Sequence, residues 1–474
     1  MRGQGGTGTA GRIWLATLAL GVGLFPAAAR CQVVTTLAGS GAAGSADGTG
    51  MAATFNYPTG VAVDGSGNLY VADTDNHKIR RITSTGVVTT LAGSGSPGSQ
   101  DATGAAASFN SPYGVAVGVG GNVYVGDTGN NKIRKITPGG VVTTFAGSGS
   151  PGEQDGTGTT ATFNGPAGLA ADGGGNIYVA EAFGNNVRKI TSGGVVTTLA
   201  GSGTVGDDDG TGAAASFNGP AGLAVDTGGN VYVADALNNK IRKITSGGVV
   251  TTFAGSGAQG AAEGTGTAAS FFLPSGIALD AAGNSYVADV GNSKIRKVTS
   301  AGVVSTWAGS GQPGNADGTG ASASFAGPSS VASDTLGTLY VTDLANNNVR
   351  KILRLATACT PDAFTACLIG SRYRVTSHWR NQYSIPPGQV NTLAATSLTD
   401  ATAAFWLSDA NIYEYLIRIN TATDNFKAWI SIPTFTDVEF WVAVQDTVNG
   451  QYYEYHSAPG NRTMIYDPYF FVYP

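Results

Sequence analysis

A unit of 54 residues occurs six times in this chain of 474 residues, and no insertion or deletion separates the copies. The step is visible in an acidic, a phenylalanine, a proline and an arginine position, whose first copies are Asp73, Phe55, Pro58 and Arg80. Only the third unit changes the acid, to Glu181. Self-similarity at a fixed period of this length predicts a repeat architecture.

Each unit is predicted to form four short strands, which in the first unit are Val61–Val63, Leu69–Ala72, Lys78–Ile82 and Val87–Leu91. Turn residues such as Asp, Gly, Ser and Asn separate them. The first two strands carry apolar residues at adjacent positions, which predicts burial on both faces of the sheet. Four-stranded sheets packed around an axis meet this requirement, so the sequence predicts an all-β, six-bladed propeller. A solenoid would need capping repeats at its ends, and the sequence shows none.

The ends of the repeat region predict how the ring closes. The motif of the fourth strand occurs six times, but its first copy, Val33–Gly39, precedes the first unit, and nothing similar follows Ile352. We therefore expect this N-terminal strand to complete the outer edge of the sixth blade. Closure of this kind removes the open sheet ends that a linear array would expose.

The repeated wording, Asp-x-x-Gly-Asn-Φ-Tyr-Val-Ala-Asp-x-x-Asn-x-x-Ile-Arg-Lys-Ile, resembles the NHL repeat over residues 33–352. The resemblance implies a six-bladed propeller that serves mostly as a binding platform, with a minority of enzymatic relatives. Departures from the pattern are few: Gly118 replaces the first aspartate of its unit, and Glu181 replaces the second aspartate of the third unit.

The first 30 residues are predicted to be a secretory signal. Arg2 and Arg12 flank the apolar stretch Ile13–Phe25, and Ala27–Ala29 form a small-residue cleavage site. The apolar stretch is too short to span a membrane, and Arg30 before Cys31 argues against a lipid anchor. We expect a secreted, periplasmic or cell-surface protein with no membrane span once the signal is removed.

Composition changes after the repeats, which predicts a domain boundary between residues 31–352 and 353–474. Aromatic residues become dense, and alternating stretches such as Val438–Val444 predict an antiparallel β-sandwich. This part resembles an accessory module at the ends of secreted bacterial proteins. In an exported protein Cys359 and Cys367 are expected to form a disulfide, which leaves Cys31 over. Metal binding by the pair is the weaker alternative.

Charge and histidine content exclude two classes of function. The formal net charge is −5 and no basic stripe is present, so nucleic acid is not an expected partner. The resemblance also admits lyases that hold zinc through several histidines. The repeats contain only His77, whereas a zinc site needs three or four nitrogen or sulfur ligands, so that activity is excluded by count.

Two series of acidic residues could carry chemistry. The series of Asp73 precedes tight turns, and each member lies seven residues before an arginine, so a structural role is favoured. A second series lies in long loops, where ligands are often bound: Asp47, Asp101, Asp155, Asp209, Glu263 and Asp317. If these carboxylates converge they could hold a calcium ion. A role in turn formation is the competing interpretation.

Positions that differ between copies are better candidates for recognition, because a strictly repeated residue is explained by the fold. Tyr57 and Tyr113 adjoin the repeated proline, while Phe183 and Leu237 occupy a turn where other units have small or polar residues. These four residues define a predicted binding face, although local packing would also explain Phe183 and Leu237.

The function predicted from the sequence is exported, non-catalytic binding of a protein or polysaccharide, without a cofactor other than the calcium considered above. The rival is a divalent-cation-dependent lyase or hydrolase with its site at the propeller channel. A structural spacer is a third interpretation. Neither the oligomeric state nor the ligand follows from the sequence.

Overall fold

The computed structural model describes residues 32–353 in full and residue 354 by its backbone. Of the remaining chain it describes the backbone of ten strands between residues 365 and 466. The predicted signal peptide and the predicted Cys359–Cys367 disulfide lie outside the residues whose side chains are described.

Residues 32–354 form six antiparallel sheets, and these are the blades of a six-bladed β-propeller. Each blade runs from a first strand at the axis to a fourth strand at the perimeter, and in blades 1 to 5 these four strands follow one another in sequence order. The first strands are Pro58–Val63, Pro112–Val117, Pro166–Ala171, Pro220–Val225, Pro274–Leu279 and Pro328–Ser333. The second strands are Leu69–Asp73, Val123–Asp127, Ile177–Glu181, Val231–Asp235, Ser285–Asp289 and Leu339–Asp343. The third strands are Lys78–Ile82, Lys132–Ile136, Asn186–Ile190, Lys240–Ile244, Lys294–Val298 and Asn348–Arg354.

The fourth strands show how the ring closes. Those of blades 1 to 5 are Val87–Ala92, Val142–Ala146, Val195–Ala200, Val249–Ala254 and Val303–Ala308, and that of blade 6 is Gln32–Ala38. In blade 6 the N-terminal strand pairs antiparallel with the third strand, with Thr36 opposite Arg350 and Gln32 opposite Arg354. The prediction that the N-terminal strand completes the sixth blade is therefore confirmed.

Five blades carry a short fifth strand outside the fourth, which the sequence did not predict. These strands are Gly48–Thr49, Gly156–Thr157, Gly210–Thr211, Gly264–Thr265 and Gly318–Thr319, and blade 2 has a single bridge between Thr103 and Val141 instead. Short 3₁₀ helices complete the blades: Gly50–Ala52, Thr74–Asn76, Gly104–Ala106, Val119–Gly121, Thr128–Asn130, Gly158–Thr160, Gly212–Ala214, Ala236–Asn238, Gly266–Ala268, Val290–Asn292, Gly320–Ser322 and Leu344–Asn346.

Apolar side chains fill the space between neighbouring blades. Between blades 6 and 1 the cluster includes Phe55, Val61 and Val71 from one blade, and Tyr340 and Val349 from the other. This arrangement explains the two-sided apolar pattern of the first strands, because each sheet is covered on both faces by its neighbours. The repeated phenylalanine is fully buried in blades 1 to 6, and the arginine of the same blade stacks over its ring.

The strands beyond residue 354 form two antiparallel five-stranded sheets. One contains Thr365–Leu368, Tyr373–Asn381, Asn391–Thr392, Val438–Asp446 and Tyr452–Ser457. The other contains Ala394–Thr399, Thr402–Trp406, Tyr415–Asn420, Lys427–Ser431 and Ile465–Tyr466. Their packing as a β-sandwich remains a prediction, as does the boundary at residue 353.

Candidate functional site

The propeller has two unlike faces, which are defined by the ends of the first strand. The proline face carries the repeated proline, beginning with Pro58, and the turns between second and third strands, such as Thr74–His77. The opposite face carries the turns between first and second strands, where Asp64 accepts hydrogen bonds from the N–H groups of Ser66 and Asn68. We call this second surface the Asx-turn face.

The axis of the propeller is nearly filled by backbone. Gly60, Gly114, Gly168, Gly222 and Gly276 stand at the same position of successive first strands. A β-carbon on Gly114 would lie 2.0 Å from the carbonyl oxygen of Ala167 on the next blade. Glycine is therefore required here by the close approach of neighbouring strands.

Two cavities on the axis are lined by the first strands of all six blades, one of about 50 Å³ toward the proline face and one of about 220 Å³ toward the Asx-turn face. Backbone, Tyr113, serines and aliphatic side chains line the smaller one, and neither lining contains a carboxylate or a histidine. Ligand pockets of enzymes are typically about 300 Å³ or larger. The geometry of the channel therefore does not favour the rival activity, a metal-dependent lyase or hydrolase with its site on the axis.

The predicted metal ligands lie at the outer part of the blades, away from these cavities. Asp47 directly precedes the outermost strand of blade 1, and its side chain accepts hydrogen bonds from Thr90 of the fourth strand. Among the described residues no three His, Cys, Asp or Glu side chains come together in a way that could hold a metal ion. The structure thus places the six acids in six separate blades.

Most of these acids form an ion pair with a buried arginine. The guanidinium of Arg80 is fully buried and lies 2.6 Å from Asp73 and 2.8 Å from Asp47, so one arginine pairs with two carboxylates. Asp101, Asp155, Asp209 and Asp317 pair in the same way with Arg134, Arg188, Arg242 and Arg350. Glu263 instead accepts a hydrogen bond from the N–H of Thr306, 2.7 Å away.

The pKa values of Asp47 and Asp73, the two acids that pair with Arg80, are shifted in opposite directions. Partial burial opposes ionisation of Asp47, but the N–H of Thr90 and the guanidinium of Arg80 outweigh it, so the pKa is lowered. Asp73 is fully buried, and this burial raises its pKa although Asn56, Asn76 and Arg80 act against it. The seven-residue spacing of Asp73 and Arg80 therefore corresponds to a buried ion pair. The N–H group that bonds Asp73 belongs to Asn56, which lies 17 residues earlier, and not to the following turn.

Blade 3 has a glutamate, Glu181, where the other blades have the buried aspartate that pairs with arginine. Burial raises the pKa of Glu181 to about 7, against the opposing effect of Arg188, and nearby Glu153 raises it further. The longer side chain fills space left by Gly184, which replaces the asparagine of other blades. A β-carbon on Gly184 would lie 2.5 Å from Oε2 of Glu181.

The four residues predicted to form the binding face all lie on the proline face. Tyr57 and Tyr113 flank repeated prolines, and Tyr113 lines the smaller axial cavity. Phe183 and Leu237 lie in the turns between second and third strands of blades 3 and 4, and both are more than half exposed. Phe183 packs over Gly165, because a β-carbon there would lie 2.4 Å from its ring. Leu237 packs in the same way over Gly219.

The position before the repeated proline adopts positive φ in every blade. Tyr57, Ser111 and Leu273 hold φ values of 55°, 48° and 52°, whereas the other three blades use glycine. Side chains are disfavoured in this region, so Tyr57 and Leu273 are kept on this face at a cost in backbone strain.

Hydrogen bonds from this position hold neighbouring blades together. The N–H of Tyr57 donates to Asn347 of blade 6, and that of Ser111 donates to Nδ1 of His77 in blade 1. His77 ends its turn with φ 52°, like the asparagines of other blades, so its role is that of a turn residue and acceptor.

Comparison with known proteins agrees with this architecture. The family model for the NHL repeat matches residues 55–82, 109–136 and 217–244. The chain therefore contains NHL repeats, and its residues 32–354 form a six-bladed β-propeller.

Curated relatives match over roughly half of the chain. Protein SUPPRESSOR OF QUENCHING 1, chloroplastic, from Arabidopsis thaliana is 32% identical over 286 residues, which are 56% of this chain and 27% of the relative. NHL repeat-containing protein 2 from Homo sapiens is 30% identical over 293 residues, 53% of this chain and 40% of the relative. The chain thus spans less than half of the length of these relatives.

Solved structures show the same fold at low identity. A structural genomics protein of unknown function from Bacteroides thetaiotaomicron is 24% identical with a TM-score of 0.55, covering 68% of this chain and 76% of that one. An auxiliary nutrient binding protein from the same organism is 17% identical with a TM-score of 0.53 and the same coverage. No helix of the described residues is long and apolar enough to cross a membrane.

Proposed function

We propose that this chain is an exported, non-catalytic binding protein whose propeller holds a protein or polysaccharide on the proline face. The observation that carries the proposal is that exposed apolar side chains stand at variable positions of the repeat on this face. Tyr57, Phe183 and Leu237 are 47%, 71% and 58% exposed there. Other blades have serine, glycine or leucine at the position of Tyr57, and aspartate, glycine or alanine at the position of Phe183 and Leu237. Exposed aromatic and aliphatic side chains on a rigid support are typical of recognition surfaces.

The scaffold itself supports binding rather than catalysis. The blades present their proline-face turns in a ring, and the buried arginine of each blade, as Arg80 does in blade 1, ties the long loop to the sheet. Loops that are held this firmly lose little conformational freedom on binding. Export and the two-domain division at residues 353–474 belong to the same proposal and rest on the sequence pattern alone.

The experiment compares two double variants that remove exposed apolar side chains from opposite faces. Phe183→Ala with Leu237→Ala alters the proline face, and Val119→Ala with Leu336→Ala alters the Asx-turn face, where Val119 and Leu336 are similarly exposed. Purified proteins are applied to a glycan array and to a panel of displayed peptides. We expect the first variant to lose retention and the second to keep it.

Loss of retention in the Asx-turn variant alone would overturn the assigned face. Equal retention by wild type and both variants would overturn the proposal that these side chains bind. Because all four side chains are exposed, the variants are expected to unfold at the temperature of the wild type, and thermal unfolding serves as the control.

A further inference from the structure

Exposed apolar side chains of the proline face gather at the junction of blades 3 and 4. Phe183, Val205 and Leu237 are 71%, 67% and 58% exposed. The long loop of blade 4 carries Val205, and the turns between second and third strands carry the other two. Other blades have alanine, proline or glutamine at the position of Val205. We call these three side chains the junction patch.

Asn185 brings the three side chains of the junction patch together. Its Oδ1 accepts a hydrogen bond from the N–H of Gly219, 3.0 Å away, and its Nδ2 donates to the carbonyl oxygen of Gly203, 3.5 Å away. The phenylalanine of the patch lies in the same turn as Asn185, the leucine packs over Gly219, and the valine lies two residues after Gly203. Contacts between two blades therefore hold the patch in place.

Leu273 of blade 5 extends the patch at a cost in backbone strain. Its N–H donates to Oδ1 of Asn239, 3.0 Å away, and Asn239 ends the turn that carries Leu237. Leu273 holds φ 52°, at a position where three other blades have glycine. Left-handed backbone is disfavoured for leucine, and a partly exposed side chain recovers little of that cost within the fold. Strained residues of this kind are concentrated at functional sites.

The long loops that border the junction patch are more acidic than those of the other blades. Blades 1, 2, 5 and 6 have one acid in this loop, whereas blade 3 adds Glu153 and blade 4 adds Asp207 and Asp208. Lys240 pairs with Asp207 at 2.6 Å, but Glu153 and Asp208 form no ion pair with a described residue. Glu153 adjoins the patch, because a β-carbon on Gly203 would lie 2.5 Å from its Oε2. Unbalanced negative charge therefore borders the exposed apolar side chains.

These features together favour one class of partner. An exposed apolar patch with a charged border is typical of a surface that binds protein. Phenylalanine, valine and leucine side chains have no hydrogen-bonding groups, so they would leave the hydroxyl groups of a polysaccharide without partners. Negative charge at the border favours a partner with lysine or arginine beside its apolar residues, because complementary charge speeds association and suppresses wrong partners.

We propose that the junction patch, extended by Leu273, binds an apolar segment of a partner protein that carries lysine or arginine toward Glu153 and Asp208. The inference rests on the proposed function, because it names the partner of the proline face and places it on blades 3 to 5. The apolar side chains are buried on binding, and the two carboxylates provide the preference for a basic segment.

The test begins with a library of displayed random peptides, from which immobilised wild type selects binders. We expect the selected peptides to combine lysine or arginine with aliphatic or aromatic residues. Leu273→Gly introduces the residue that three other blades have at this position. It should weaken the best peptide about tenfold, because a side chain is removed from the core of the interface.

Leu336→Gly is the matched control on the Asx-turn face. Three other blades also have glycine at this position, and the side chain of Leu336 is 88% exposed. This variant should bind the selected peptide as tightly as wild type does. Weaker binding by Leu336→Gly than by Leu273→Gly would overturn the junction patch as the site.

Thermal unfolding separates a role of Leu273 in binding from a role in folding. Glycine adopts positive φ without strain, so Leu273→Gly should not lower the Tm. A lower Tm would assign this leucine to the fold and overturn its place in the site.

The two carboxylates are tested by the double variant Glu153→Gln with Asp208→Asn, which changes only exposed side chains. At low ionic strength it should bind the selected peptide about fivefold more weakly, the upper range for an exposed ion pair. At about 1 M salt the difference should disappear because exposed charges are screened, whereas the effect of Leu273→Gly should persist. A double variant that binds like wild type at low ionic strength would overturn the role of charge.

The remaining outcomes distinguish this inference from the proposed function. Selected peptides that lack lysine and arginine would overturn the basic partner while leaving the proline face as a binding surface. Binding to a glycan array with no peptide selected would overturn the protein partner in favour of a polysaccharide. Wild type that retains neither peptides nor glycans would overturn both.

Discussion

Closure of the ring by the N-terminal strand makes a quantitative prediction about Val34. This residue is fully buried in blade 6, opposite Ile352 of the third strand and Gly318 of the fifth. Val196 occupies the matching position of blade 3, where it is also fully buried and lies opposite Ile190 and Gly156. The two valines differ chiefly in how their strands are connected along the chain.

Substitution by alanine should cost the same free energy of unfolding at both sites. Val→Ala removes two methyl groups, worth about 0.8 kcal/mol each. The cavity left behind adds to this loss, so the total is about 2–3 kcal/mol. Equal costs are expected only if the N-terminal strand stays bound until the whole propeller unfolds. If the N-terminal strand could detach while the rest of the propeller stayed folded, the stability lost in Val34→Ala could not exceed the free energy of that local detachment.

The two variants are compared by urea denaturation followed by circular dichroism. Native-state hydrogen exchange of residues 33–38 and 195–200 gives an independent measure of local opening. We expect both variants to lose stability equally, within about 0.5 kcal/mol, and both segments to exchange at similar rates. A cost for Val34→Ala below about 0.5 kcal/mol beside a full cost for Val196→Ala would refute integral closure.

Three further predictions test the chemistry of the blades. Glu181→Gln removes a carboxyl group whose pKa is raised to about 7 in the folded protein. The contribution of this group to the free energy of unfolding is fully present below about pH 4.5 and is lost as the pH rises through about 7. In denaturation curves, wild type should therefore lose stability relative to this variant between about pH 5 and 8. Gly114→Ala should cost about 1–3 kcal/mol in the same assay because its β-carbon meets the backbone of the next blade. Gly65→Ala, which meets nothing within 4 Å, is the near-neutral control. Chelation by EDTA should leave the Tm of wild type unchanged. Asp209→Asn should lower the Tm, because it removes a carboxylate that pairs with Arg242. A drop in Tm on addition of EDTA would instead indicate a bound metal.

The sequence predicted the blades and their closure because the period is exact. The repeated proline, Pro58 in the first unit, marks the start of the first strand in all six copies. A strand that is ambiguous in one unit can therefore be assigned by comparison with the same positions of the other five. Closure followed from counting strands, since a motif present before the first unit and absent after Ile352 leaves one blade incomplete. Neither inference needs knowledge of side-chain contacts.

The outer fifth strand and the partner of the loop acid could not be predicted in the same way. Gly48–Thr49 is too short to show alternation and was included in a loop. Asp47 lies 33 residues from Arg80, and no rule of local spacing joins them. A count of charges would have helped, because most units have two recurrent acids and a single fully buried arginine to satisfy both.

Departures from an exact repeat divide into those that the fold compensates and those that it does not. Glu181 with Gly184 is compensated, since one longer side chain occupies the space of the missing asparagine and keeps the bond to Arg188. Asn186 and Asn348, which replace the repeated lysine in blades 3 and 6, are not fully compensated, because each leaves a buried side-chain oxygen without a hydrogen bond among the described residues. The first kind preserves the buried ion pair of the repeat, here between Glu181 and Arg188. The second kind costs stability, and because it occurs in two blades, an orphaned buried oxygen by itself does not identify the blade that binds a ligand.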